Sequence, residues 1–185
     1  VTSSVSSTAN VFTELAAAGP HPEHHAAVMQ FGRFVGVWDM TVQFIDPHGD
    51  VVFDGVGRWE FTWILDGLGV QDVLVYALPD RFSEPRGNRG IGTTVRAYLP
   101  AERRWRQVWA APRAGNFIVM ESESTVGDIR ITGLDMDGSH LEWAFTDITA
   151  DSFTWTGRTS TDGVSNWRVE QRMHGRRRRI PEPGA

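Results

Sequence analysis

Several stretches of this chain carry polar side chains in step with apolar neighbours, a pattern that places chemistry inside a protein rather than on its surface. In "VQDVLVY", Gln71 and Asp72 stand among valines and a leucine. In "TTVRAYL", Arg96 and Tyr98 lie two residues apart, so on a strand they share a face and could contact an anion or a carbonyl together. Gln107 falls between Trp105 and Trp109, and Gln171 between Val169 and Met173, again at two-residue spacing. In "FIVMESES", Glu121 and Glu123 share a face with Phe117 and Val119, while Ile118 and Met120 form the other face. Turned inward, those carboxylates would sit in a low-dielectric site with raised pKa values, suited to proton transfer; turned outward, they are solvated surface charges. The candidate catalytic residues are therefore Asp72, Arg96 and Glu121. The candidate ligand-binding residues are Gln71, Trp63, Tyr98, Gln107, Trp109, Trp143 and Gln171. Buried amides require partners, and tryptophans offer large flat contact areas.

Other chemistries are excluded on inspection. The chain has eight tryptophans and no cysteine, so it has no disulfides, no thiolate metal site and no Cys nucleophile, which fits a reducing compartment. A net charge of −5 argues against nucleic acid as a partner. No stretch is apolar enough to span a membrane, and "VTSSVSSTAN" lacks a basic region followed by an apolar run, so a cytoplasmic protein is expected. His21, His24 and His25 in "HPEHH" lack the i, i+4 spacing of a helical zinc site, so neither a metal nor a cofactor is expected. "GLDMDGSHLEWA" resembles a calcium loop only superficially: its first coordinating position would be Gly133 and its twelfth Ala144. There is no P-loop, no dinucleotide fingerprint ahead of a helix, and no Gly-x-Ser-x-Gly elbow.

The elements that must position these residues follow from periodicity. Residues 1–30 contain "NVFTELAAAG" and "PEHHAAVMQF", Ala-rich runs separated by Pro20 and Pro22, which read as two short helices. From Val35 the period becomes two: in "WDMTVQF", Trp38, Met40, Val42 and Phe44 alternate with Asp39, Thr41 and Gln43. About ten such runs, separated by turn residues, make an antiparallel meander. So many antiparallel strands close on themselves to remove exposed edges, giving an all-β, up-and-down barrel over residues 31–175; a two-sheet sandwich is the alternative. "PDRFSEPRGNRG", residues 79–90, is too long for a tight hairpin and is either a lid or a plain loop. Residues 176–185, "RRRRIPEPGA", read as a basic, Pro-containing flexible tail.

On "FVGVWD", residues 34–39, a short preceding helix and the meander that follows, the chain resembles the calycin-type barrels, the superfamily of lipocalins and fatty-acid-binding proteins. "GRWEFTWILDGLGVQDV" with "TVRAYLPAERRWRQVW" looks like a set of bacterial lipocalin-like barrel proteins. The resemblance implies that Trp38, the tryptophan of Gly-x-Trp, closes one end of the barrel. It also implies that an arginine of the last strand, Arg168 or Arg172, packs across the Trp38 ring. Some calycin-like barrels hold haem through a histidine on a late strand, which directs attention to His140 and His174.

The expected function is binding of a small apolar or aromatic molecule in the barrel. Catalysis, if any, would be cofactor-independent, as in a cyclase or isomerase whose walls fold a flexible substrate into its reactive shape. A haem-binding barrel and a non-catalytic carrier or interaction protein are the alternatives. Homodimerisation is left open.

Overall fold

The computed structural model describes residues 10–78, 89–123 and 127–179. Of the candidate lid at 79–90, residues 79–88 lie outside them, as do residues 180–185. Two short helices, α1 (Val11–Leu15) and α2 (His25–Gly32), precede ten strands. These are β1 (Gly36–Ile45), β2 (Val51–Ile64), β3 (Gly69–Ala77), β4 (Arg89–Leu99) and β5 (Arg104–Ala111), then β6 (Asn116–Glu123), β7 (Ile129–Leu134), β8 (His140–Thr146), β9 (Ser152–Ser160) and β10 (Arg168–Arg177). Each strand pairs with its sequence neighbours, and β1 pairs with β10, so the sheet closes as a barrel rather than splitting into a sandwich.

The alternation read from the sequence decides which side chains enter. On β1, Trp38, Met40 and Val42 are buried while Asp39 and Thr41 are exposed. On β2, Trp59, Phe61 and Trp63 point inward, and on β9 Phe153 and Trp155 do so. Several of the described turns are held by their own side chains. In "DPHGD", the Asp46 carboxylate accepts from the backbone N–H groups of His48 and Asp50. Between β9 and β10, the Asp162 carboxylate accepts from the Ser165 hydroxyl and from the backbone N–H groups of Val164 and Ser165, which hold its pKa far below the usual carboxylate range. A depressed folded-state pKa adds stability that is complete above the ordinary value near pH 4 and is lost as pH falls through the depressed value. Asp162→Asn will therefore flatten the acid limb of a plot of Tm against pH relative to wild type.

One end of the barrel is plugged. Phe31 of α2 meets Trp105 edge-on at 4.9 Å, and Phe34 packs among Trp38, Phe61, Phe145 and Phe153. The plug sits close because α2 ends in glycine: a Cβ on Gly32 would lie 2.1 Å from the Trp63 ring. Gly-x-Trp completes the closure. The Trp38 indole donates to Phe34 O at 2.6 Å, and the Arg177 guanidinium lies 4.2 Å from the Trp38 ring centroid. Arg177 also donates to the carbonyls of Val35 (2.8 Å), Arg33 (2.7 Å) and Ala150 (2.7 Å). Partial burial lowers the Arg177 pKa and nearby Asp151 opposes the shift. Gly36 is required here on two counts. Its φ is 127°, and a Cβ would stand 2.9 Å from Arg177 Nη1. Gly36→Ala will cost about 1–3 kcal/mol, readable as a lower denaturant midpoint.

Two expectations are corrected at this end. The arginine over Trp38 is Arg177, not Arg168 or Arg172. The β1–β10 register sets Trp38 against Arg177 and leaves Arg172 opposite Gln43, on the exposed side. Nor does the basic run begin a loose tail at 176. Arg176 and Arg177 end β10, Arg178 binds the Asp39 carboxylate (Nε to Oδ1 3.0 Å) and holds its pKa low, and Arg179 lies 3.6 Å from Asp151.

Candidate functional site

At the end opposite α2 the barrel holds a cavity of about 680 Å3. Its wall is an arc of indoles. Trp109 (β5) meets Trp143 (β8) edge-on at 6.2 Å, Trp143 tilts against Trp155 (β9) at 5.5 Å, and Trp155 reaches Trp59 (β2) at 6.3 Å. Glycines give these rings room: a Cβ on Gly92 would fall 2.1 Å from Trp109, and one on Gly157 2.7 Å from Trp155. The mouth carries charges of both signs, Arg89 and Arg113 with Asp135 and Glu170. Tyr76 lines the cavity, and burial pushes its phenol pKa up, so it is a neutral hydroxyl at neutral pH.

The floor is polar. The β3–β4 register opposes Asp72 and Thr94, so both enter the barrel, with Arg96 two residues further along. Arg96 Nη1 binds Asp72 Oδ2 in an ion pair whose side chains are 1% and 0% exposed. The Thr94 N–H donates to Asp72 Oδ1 at 3.3 Å. The Arg96 guanidinium lies 5.1 Å from the Phe31 ring and 5.7 Å from the Phe61 ring, so aromatic faces supply part of the solvation it has lost. Gln107 stands opposite Arg96 on β5. Among the described residues, both amide atoms of Gln107, Arg96 Nε, Trp59 Nε1, Trp105 Nε1 and Ser122 Oγ are buried in the barrel with no hydrogen-bond partner. Unpartnered buried amides are costly, so Gln107→Leu, close in volume and apolar, will raise the stability of the free protein by about 1–2 kcal/mol, measurable by urea denaturation.

The fold thus gathers Asp72, Arg96 and Gln107 at one depth and places Trp109, Trp143 and Gln171 in the cavity wall, Gln171 donating to Met173 Sδ at 3.7 Å. The other candidates lie elsewhere. Gln71 faces outward and donates to Thr93 Oγ1 at 3.2 Å, because the alternation that sends Asp72 in sends its neighbour out. Glu121 also faces outward and pairs with Arg104 at 3.2 Å, beside Phe117 and Val119, which are 63% and 65% exposed; the inner face of β6 is Ile118, Met120 and Ser122. Asp72, Arg96 and Glu121 are therefore not one constellation. Trp63 and Tyr98 do point inward, but into the plug, against Gly32 and against Trp105.

Trp59, Trp155 and Thr94 line the cavity and were not singled out from the sequence, although the same alternation in "GRWEFTW", "FTWTG" and "TTVRAYL" marks all three. Arg89 and Arg113 sit near turns, where no period identifies them. Neither His140 nor His174 lines the cavity: His174 is on the outer side of β10 between inward Met173 and Gly175, and His140 packs beside Gly163. The haem expectation therefore lacks the late-strand ligand that motivated it. Ahead of α2, ligand atoms of His21, Glu23 and His24 lie within 4.8 Å of one another, and the two imidazoles stack at 5.2 Å.

No protein-family model matches the sequence, and no curated protein matches it. A solved structure does match: the S-type phycobiliprotein lyase CPES from Guillardia theta, with TM-score 0.57 and 13% identity over 82% of this chain and 92% of that one. What the two chains share is the fold, a closed ten-stranded antiparallel barrel. At that identity the likeness bears on the architecture alone: ten antiparallel strands closed around a cavity, with a helical segment ahead of them.

Proposed function

We propose that this calycin-type barrel binds a flat, largely apolar or aromatic small molecule between the indoles of Trp109, Trp143 and Trp155. The observation that carries this reading is the cavity itself. At about 680 Å3 it is within the range of small-molecule sites, and its wall is aromatic with a few polar groups at the bottom. Carriage is favoured over cyclisation or isomerisation, because the one buried carboxylate at the floor, Asp72, is already engaged by Arg96 and the Thr94 N–H. A proton-transfer base must reach the guest, and Asp72 is not among the residues that line the cavity. A cytoplasmic location and kinship with the bacterial lipocalin-like barrels belong to the same proposal.

N-Phenyl-1-naphthylamine is a neutral probe of the stated class, and a bilin is a second, since the structural neighbour is a phycobiliprotein lyase. Saturable binding of either with one site per chain is expected. Trp143→Ala, which removes the middle indole of the arc, will weaken it by about tenfold, the equivalent of one aromatic contact and its buried area. Unchanged affinity in that variant would place the probe outside the arc.

A further inference from the structure

We propose that the guest enters with a neutral hydrogen-bond acceptor leading, a carbonyl oxygen or a ring nitrogen, and that carboxylates are excluded from the floor. This deepens the proposed function and rests on it. The floor has a surplus of donors. Of the unpartnered buried atoms at this depth, Arg96 Nε, Trp59 Nε1 and Gln107 Nε2 can only donate, whereas Gln107 Oε1 alone can only accept. Arg96 and Trp59 line the cavity, and Gln107 stands beside Arg96 across the β4–β5 pair. A guest that brings an acceptor here satisfies groups that otherwise stay unpaired, and a pure hydrocarbon leaves them so.

Charge then decides what kind of acceptor. Arg96 looks like an anion receptor, but Asp72 already balances its charge within a pair that is almost fully buried, and Phe31 and Phe61 flank the guanidinium. A carboxylate added beside that pair would be an uncompensated charge in a low-dielectric site, facing Asp72. A carbonyl or ring nitrogen brings lone pairs without net charge.

Three guests of nearly one shape test this: fluorene, 9-fluorenone and fluorene-9-carboxylate, each used to displace N-phenyl-1-naphthylamine. Fluorenone will bind about tenfold tighter than fluorene, the value of one well-placed hydrogen bond, and the carboxylate will bind more weakly than either. The C=O stretch of bound fluorenone will move to lower wavenumber. In Gln107→Leu the fluorenone-to-fluorene ratio will fall to about threefold or less and the shift will shrink. Equal displacement by fluorene and fluorenone with an unshifted stretch, or tightest binding by the carboxylate, overturns the acceptor proposal and leaves the cavity reading standing. A full fluorenone preference retained in Gln107→Leu overturns the part assigned to Gln107. Failure of all three to displace the probe overturns the cavity reading as well.

Discussion

Asp72→Ala will destabilise the protein by about 3–5 kcal/mol, as expected when one partner of a buried ion pair is removed and the other charge is left in the interior. Arg96 then keeps its guanidinium beside Phe31 and Phe61, almost fully buried and with no counter-charge among its described neighbours. Arg96→Met leaves the mirror problem, a carboxylate supported by the Thr94 N–H alone. The double variant Asp72→Leu with Arg96→Met will be much closer to wild type, because it removes both charges and fills the space with apolar atoms. A double-mutant cycle by urea denaturation reads the coupling directly. Single variants costing less than about 1 kcal/mol would mean that water reaches the pair and that the floor is not the low-dielectric site that the acceptor proposal needs. The pair thus restricts which guest the floor tolerates, and its worth to folding is the damage done by breaking it.

Arg177→Ala will cost about 2–4 kcal/mol, whereas Arg176→Ala and Arg178→Ala will leave the unfolding midpoint close to that of wild type. The difference lies in what each guanidinium touches. Arg177 covers the Trp38 ring and donates to three backbone carbonyls from the segments before β1 and between β8 and β9, tying both chain segments to the plug. Arg176 is exposed, and Arg178 makes an exposed pair with Asp39. Arg177→Lys will not restore the loss, since an ammonium cannot offer the planar fork that reaches Val35 O and Arg33 O together. Thermal unfolding with near-UV circular dichroism of the tryptophans separates the variants; equal small effects across the run would return it to a solvated tail.

The barrel was legible because strand alternation and turn chemistry recur along the whole chain, and each "WDMTVQF"-like run names its own inward face. Where both faces of a strand are apolar, that signal vanishes. On β6, Phe117 and Val119 are as hydrophobic as Ile118 and Met120, so nothing local says that Glu121 turns outward. The same holds for Gln71 beside Asp72, with Val73 and Leu74 on opposite faces. Alternation also tells inside from outside but not height along the barrel. Tyr98 and Trp63, candidates for ligand binding, do point inward, yet they lie at the plug because α2 and the register fill that end first. Arg177 depends on the β1–β10 register, a pairing between the two ends of the barrel sequence, which no local window contains.

The central claim is that the tryptophan-lined cavity is where the guest sits, and filling the cavity tests it most directly. N-Phenyl-1-naphthylamine should be titrated, by its own emission, into wild type, Ile118→Trp and Leu141→Trp, variants that each add an indole to the lining without touching the plug. The account predicts saturable one-to-one binding by wild type and at least about a tenfold loss in both filled variants, which keep a cooperative unfolding transition. Equal affinity in all three proteins would contradict it, because the probe would then be binding somewhere other than the barrel.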